Sequence, residues 1–207
     1  MADEEKDILK NRIKELARTQ FAKKGFSYVK TDDLAKDLGI SKRTLYDHFP
    51  SKENLLSAVI DDELKAIDTQ LNAIMKSELV KEGDFIGIMK KLLGLMSSQS
   101  CTFTKEFFDD IRRVAPSQWD RIEEFRMKGF KANFDLLHNL GVKNGYVKKN
   151  INKEIFFLIF SHALHNIMTP EVISKLPFTT LEVTESIIEV LLTGALTESG
   201  RERYLRK

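Results

Sequence analysis

The stretch Thr31–Leu55, TDDLAKDLGISKRTLYDHFPSKENL, predicts two short helices joined by a tight turn and followed by the start of a third. Thr31 is expected to cap the first helix, because its hydroxyl can accept a hydrogen bond from a backbone N–H. Gly39 follows the last turn, where a left-handed residue commonly ends a helix. Ser41 is expected to cap the second helix, Lys42–Phe49, which the following proline ends. Two helices across a glycine-containing turn form a helix-turn-helix, whose second helix fits the major groove of DNA.

The second helix has one apolar side and one basic side. Leu45 and Phe49 are four residues apart and therefore face a core. Cations and an aromatic hydroxyl on the other side suit phosphate oxygens and base edges. The bare pattern also fits a solvated helix pair inside an unrelated helical protein. The outward positions are Lys42, Arg43, Tyr46 and Asp47, flanked by Thr44 and His48.

A longer string decides between these alternatives. Residues 25–56, GFSYVKTDDLAKDLGISKRTLYDHFPSKENLL, resemble the DNA-binding domain of the tetracycline-repressor (TetR/AcrR) family. The strongest marker is the run T-L-Y-x-[HY]-F-x-S-K-E-x-L, present from Thr44 to Leu55. The resemblance extends over roughly residues 8–60, and it implies transcriptional regulation. The chain departs from the family at Arg43, where glycine is frequent, and this arginine adds a candidate base or phosphate contact.

The resemblance also implies roles for individual residues. Residues expected to hold phosphates are Thr31, Ser41, Thr44, His48 and Lys52. Residues expected to approach the bases are Lys42, Arg43 and Tyr46, and the Tyr46 hydroxyl can reach either a base or a phosphate. Asp47 is repelled by phosphate, so it is expected to accept a hydrogen bond from cytosine or to steady Arg43.

The charge distribution agrees with a nucleic-acid partner. The formal net charge of the 207 residues is only +2. Residues 6–52, however, hold 12 Lys and Arg against 6 Asp and Glu, whereas residues 53–207 hold 21 against 22. A basic segment on a near-neutral body is the electrostatic footprint of a nucleic-acid-binding domain. The lone Cys101 excludes an internal disulfide and a multi-cysteine metal site, and it fits a reducing cytoplasm.

The remainder of the chain predicts an all-α protein with two domains. Residues 1–50 are assigned to an N-terminal three-helix, helix-turn-helix DNA-binding domain, and residues 51–207 to a C-terminal helical domain for ligand binding and dimerisation. The helix that opens after Ser51 carries apolar residues as far as Ile74, with no flexible linker after the DNA-binding segment. The N-terminus has no signal peptide, and no apolar run approaches the roughly 20 residues that span a bilayer.

Two C-terminal helices, near residues 153–168 and 180–196, are predicted to form a homodimer interface. The first is apolar almost all round, and the second has apolar residues on two faces with Gly194 and Ala195 near its end. Two such helices from each chain would make a four-helix interface, which the resemblance also implies. The alternative is that both helices lie at the centre of a larger monomer core.

A ligand pocket is predicted in the middle helices. Apolar walls with a few polar groups are the usual small-molecule site, but a stripe of aromatic residues is also an ordinary core. The candidate apolar lining is Met89, Leu93, Met96, Phe103, Phe107, Phe125, Phe130 and Phe134. The candidate polar groups are His162, His165 and Asn166.

The sequence therefore predicts a cytoplasmic DNA-binding transcriptional regulator that is not an enzyme. We expect a repressor that leaves a palindromic double-stranded operator when a small apolar or amphipathic effector binds. The alternative is a ligand-binding or interaction protein with a vestigial helix-turn-helix. No catalytic constellation, metal site or cofactor motif is recognised: His162 and His165 lack a third ligand, and phosphate and dinucleotide loops are missing.

Overall fold

The computed structural model describes residues 2–77, 83–85, 87–89, 91–92, 95, 105–167, 170–173 and 175–205. These residues form helices and connecting turns, with one isolated antiparallel bridge between Val147 and Leu196. The predicted all-α fold is thus confirmed. Within the described segments, no helix is long and apolar enough to cross a membrane.

We number the helices in chain order. They are α1 (Ala2–Lys24), α2 (Thr31–Leu38), α3 (Lys42–His48), α4 (Lys52–Met75), α5 (Lys105–Val114), α6 (Pro116–Lys143), α7 (Lys153–Ile167), α8 (Pro170–Ile173), α9 (Thr180–Ala195) and α10 (Glu198–Leu205). Between α4 and α5, residues 85, 87–89, 91–92 and 95 are helical.

The chain divides into two compact units. The first comprises Met1–Thr69 and Gln99–Arg126, and the second comprises Gln70–Ser98 and Met127–Lys207. The first unit therefore extends past residue 50, because α4 contributes four buried residues to the same core as the helix-turn-helix. The assignment of DNA binding to residues 1–50 and of ligand binding and dimerisation to residues 51–207 remains a prediction.

The core of the first unit fixes the helix-turn-helix on its neighbours. α1 packs on α2 and α5, and α2 packs on α3. Burying each large side chain of this core stabilises the unit by about 1.5–3 kcal/mol. The buried residues are Ile13, Ala17, Phe21, Phe26, Val29, Leu34, Ala35, Leu45, Phe49, Leu55, Leu56, Val59, Ile60, Phe107, Ile111 and Ile122.

The core of the second unit joins the helical residues near 85–89, the end of α6, α7 and α9. α7 packs against α9. Gly200 of α10 touches the backbone of Tyr146 so closely that a Cβ there would collide with the Tyr146 carbonyl oxygen. This close contact lies in the first turn of α10, which extends to Leu205. The buried core residues are Phe85, Met89, Val147, Ile188, Leu192 and Leu196.

The predicted end of the first helix of the pair at Gly39 is confirmed, and side chains cap two later helices. Gly39 has φ 68°, and its N–H bonds the Ala35 and Lys36 carbonyls. The Ser51 hydroxyl accepts from Asn54 N–H at 3.0 Å, and Thr179 forms a full capping box with Glu182. The predicted Thr31 cap is wrong. α2 begins at Thr31 itself and has Lys30 as its N-cap, without a side-chain hydrogen bond.

Candidate nucleic-acid interface

Helix α3 is fixed by its two ends and its apolar side. The Ser41 hydroxyl accepts a hydrogen bond from Thr44 N–H at 3.0 Å, which satisfies one free donor of the first turn. Phe49 ends the helix with its N–H on the Leu45 carbonyl at 2.9 Å. Leu45 is fully buried and Phe49 nearly so. Anchoring this side leaves the opposite side of α3 to solvent.

The predicted DNA-contacting residues of α3 share the outer side. Ser41, Lys42, Arg43 and Asp47 are exposed. Thr44, Tyr46 and His48 are half-buried beside them. The structure therefore brings the predicted α3 residues together on one short surface, and the arrangement offers hydroxyls, cations and an imidazole to an anionic partner.

Two hydroxyl pairs order this surface. Thr31 Oγ1 lies 3.2 Å from the Tyr46 hydroxyl, which links the start of α2 to α3. Ser41 Oγ lies 2.8 Å from Thr44 Oγ1. Each hydroxyl can donate and accept. A phosphate oxygen that accepts from one member of a pair therefore leaves the other member hydrogen-bonded.

The cations of the surface differ in their surroundings. Lys42 Nζ pairs with Asp32 Oδ1 at 2.6 Å, and this hydrogen bond and the Asp32 charge raise the pKa of Lys42. Lys52 Nζ lies 4.3 Å from the centroid of the Phe26 ring. Burial lowers the pKa of Lys52, although Glu53 and Asp110 oppose the effect. Lys52 is thus a half-buried cation resting on an aromatic face.

A buried carboxylate outside the helix-turn-helix holds the turn that precedes it. Asp110 of α5 accepts from Ser27 N–H at 2.5 Å and from the Ser27 hydroxyl at 2.7 Å. Arg113 donates to the same carboxylate at 2.7 Å. Burial opposes ionisation, but the bonds from Ser27 and Arg113 outweigh it and lower the pKa of Asp110. The sequence carries no signal for this contact, because Ser27 and Asp110 are 83 positions apart.

The predicted pocket residues are divided between the two units. Phe107 is buried in the core of the first unit, and the half-buried Phe125 lies elsewhere in the same unit. Met89 and Phe134 are buried in the second unit, and Phe130 is half-buried there. The residues Leu93, Met96 and Phe103, the side chain of His165, and Cys101 lie outside the part of the chain that is described.

The polar groups predicted for the pocket lie on α7. His162 and Asn166 are exposed on this helix in the single chain, and their role in a pocket stays a prediction. The sequence analysis missed His138 of α6. Both of its ring nitrogens are buried without a hydrogen-bond partner among the described residues. Its spacing of four residues from Phe134 and eight from Phe130 was the available signal.

The described residues contain no group of three or more His, Cys, Asp or Glu side chains that could hold a metal ion. Hydrogen-bond donors and cations grouped on one exposed helix face are chemistry for binding an anion rather than for transforming a substrate.

Comparison with known proteins agrees with this geometry. Residues 13–59 match the family model of bacterial regulatory proteins, tetR family. The chain is 28% identical over 177 residues to YvaF of Bacillus subtilis (strain 168), an uncharacterized HTH-type transcriptional regulator, covering 83% of this chain and 87% of YvaF.

Solved structures share the fold over nearly the whole chain. A transcriptional regulator from Cytophaga hutchinsonii ATCC 33406 has a TM-score of 0.68 at 22% identity, over 89% of this chain and 97% of that one. A protein from Saccharomonospora viridis in complex with choline has a TM-score of 0.66 at 15% identity, over 93% and 100%. Residues 13–59 thus match the tetR family of bacterial regulatory proteins, and the solved structures show that nearly the whole chain shares their fold.

Proposed function

We propose that this chain is a DNA-binding transcriptional regulator that inserts α3 into the major groove of an operator. The observation that carries the proposal is the outer face of α3, where Lys42 and Arg43 are exposed while Leu45 anchors the opposite side. The basic N-terminal segment and the match of residues 13–59 to the tetR family model support it. A helix so anchored presents its first turn to base edges, as helix-turn-helix proteins require.

The proposed contacts fall into two groups. Lys42, Arg43 and Tyr46 approach the bases, with Tyr46 reaching a base or a phosphate. Phosphate oxygens are held by Thr31, Ser41, Thr44, His48 and Lys52. The phosphate group carries most of the affinity, and the base group carries the sequence preference.

We propose that the regulator acts as a homodimer through α7 and α9. Ile155, Leu158 and Ile159 of α7 are 56%, 52% and 51% exposed, and Val190 of α9 is 73% exposed. The three α7 positions share one helical side. A second copy of the chain would bury this apolar surface, and its two-fold axis would match a palindromic operator with half-sites about one helical turn apart, 34–36 Å.

A small apolar or amphipathic effector is proposed to release the repressor from its operator. Such release requires that the effector bind one dimer state better than the other, because equal affinity for both states shifts nothing. The choline complex of the similarly folded Saccharomonospora viridis protein supports small-molecule binding by this fold. We place DNA binding in residues 1–50 and effector binding and dimerisation in residues 51–207, in a cytoplasmic protein that is not an enzyme.

Selection of bound sequences from random DNA, followed by fluorescence anisotropy on the enriched site, tests the proposal. We expect a palindrome and a stoichiometry of two chains per site. Leu158→Glu should leave a folded monomer in sedimentation and weaken operator binding, while Lys149→Ala, an exposed cation of the second unit, should change neither. Failure to enrich any sequence would favour the alternative of a vestigial helix-turn-helix, and a Leu158→Glu dimer would refute the interface.

A further inference from the structure

His138 carries two buried ring nitrogens that no described residue satisfies. Neither ring nitrogen has a hydrogen-bond partner among the described residues. A neutral imidazole presents one N–H donor and one lone-pair acceptor, so both are left unpaired. Buried polar groups in folded proteins almost always have a partner, and an exception requires a functional or structural reason.

The neighbours of His138 supply aromatic surface but no partner. Its ring stacks on Phe134, with 6.0 Å between ring centroids and 25° between planes. Phe134 in turn meets Phe156, Phe157 and Phe160 of α7 at centroid distances of 5.4, 5.2 and 6.3 Å. His138 is therefore the polar member of an aromatic cluster that α6 and α7 build together.

The charged groups near the cluster are already paired. Lys131 binds Asp135 at 3.2 Å and Glu154 at 3.3 Å, and Lys153 binds Asp135 at 3.1 Å. The charges of these two cations and two carboxylates sum to zero, so the four side chains offer no uncompensated charge to an ionic ligand. A ligand beside these side chains would therefore be recognised by its shape and by hydrogen bonds between neutral groups.

The ring itself favours the neutral form. Burial lowers the pKa of His138, and the nearby Lys153 and Lys131 charges act in the same direction. The adjacent Asn139 amide and Asp135 oppose the shift, but Asn139 forms no hydrogen bond of normal geometry to the ring. A hydroxyl can pair with either nitrogen of a neutral imidazole, and a carbonyl can accept from its N–H.

We infer that His138 is the polar anchor of a small-molecule site in the second unit, taking an aromatic or apolar molecule with one neutral hydroxyl or carbonyl group. The inference rests on the proposed function, since it names the chemical class of the effector. The Phe134 and Phe156 rings would contact the apolar body, and His138 would bind the polar group.

The test uses 2-naphthol and naphthalene, which differ by one hydroxyl, titrated into the full-length chain without DNA. We expect wild type to bind 2-naphthol at least about 5-fold more tightly, because naphthalene leaves the imidazole unpaired. His138→Phe should abolish this preference, and His138→Gln, which keeps a donor and an acceptor, should retain part of it. Equal binding of both probes by wild type, an unchanged preference in His138→Phe, or no binding of 2-naphthol would each overturn the inference.

Thermal melting gives a second, independent readout. His138→Phe replaces two unpaired polar atoms by an apolar ring of similar size, so the Tm should stay the same or rise. A clear fall in Tm would mean that His138 has a structural partner, and the anchor role would be wrong. DNA binding is measured separately. A naphthol preference without operator binding would keep the site and refute only the regulatory function.

Discussion

The ammonium of Lys42 lies 2.6 Å from Oδ1 of Asp32, so an acid at the start of α2 neutralises a cation at the start of α3. Both side chains are more than half exposed. The neighbouring Arg43 has no ion-pair partner among the described residues and is exposed. The two adjacent cations are therefore not equivalent: in the proposed DNA complex Lys42 would exchange Asp32 for a phosphate or base, whereas Arg43 would give up no ion pair of the described structure.

Asp32→Asn should tighten binding to specific and random DNA alike. The change removes a carboxylate near the phosphates and frees the Lys42 charge, so the slope of log K against log salt should steepen by up to about one unit. Anisotropy titrations at several salt concentrations measure it. Asp33→Asn is the matched control, because Asp33 is an exposed acid of the same turn. Equal effects of the two variants would point to general charge rather than to the ion pair.

Arg43→Ala and Lys52→Met should weaken binding in different ways. Arg43→Ala should relax preference at one base position by roughly 1–3 kcal/mol if the contact is bidentate. Lys52→Met keeps the apolar stem on the Phe26 ring but removes the charge, so affinity should fall uniformly and the salt slope should become shallower by about one unit. Binding to the operator and to single-base variants separates the outcomes. A uniform loss in Arg43→Ala would make that residue a phosphate ligand.

Asp110→Asn should destabilise the first unit at neutral pH. The charged Asp110 accepts three hydrogen bonds from Ser27 and Arg113, and each bond to a charged group contributes about 1.5–3 kcal/mol in typical cases. Since the pKa of Asp110 is lowered on folding, this stability is present above the unfolded pKa, near 3.9, and is lost as the pH falls through the folded value. Thermal unfolding at pH 7 and below pH 4 should show that the stability difference between wild type and Asp110→Asn becomes smaller at the lower pH. An advantage independent of pH would mean that the carboxylate charge is not involved.

Gly200→Ala should be strongly destabilising. A methyl group there would collide with the Tyr146 carbonyl oxygen and lie 3.1 Å from Tyr146 Cα, and backbone atoms move only at high cost. Gly129→Ala is the control, because its Cβ would meet only Leu71 Cδ1 at 3.7 Å and alanine favours the helix by about 0.5–1 kcal/mol. In chemical denaturation, the free energy of unfolding should fall in Gly200→Ala and rise in Gly129→Ala, relative to wild type. Equal stability of Gly200→Ala and wild type would contradict the close contact of α10.

The sequence alone determined the features that depend on neighbouring residues. Gly39 ends α2 and Ser41 starts α3 through bonds that span three to five positions, and Leu45 and Phe49 repeat at helical spacing. Such interactions are encoded locally, so the helix-turn-helix, its basic face and the family resemblance were all predictable from the Thr31–Leu55 stretch.

Only the tertiary structure determined the hydrogen-bond partners of Thr31, Ser27 and His138. Thr31 does not cap α2, because its hydroxyl meets Tyr46, fifteen positions away. Ser27 is held by Asp110, eighty-three positions away, and the ring that stacks on His138, Phe134, offers its nitrogens no partner, nor does any other described residue. A residue pattern carries hydrophobicity and local hydrogen bonding, but a long-range partner is determined only when folding brings distant segments within about 3 Å, the range of a hydrogen bond.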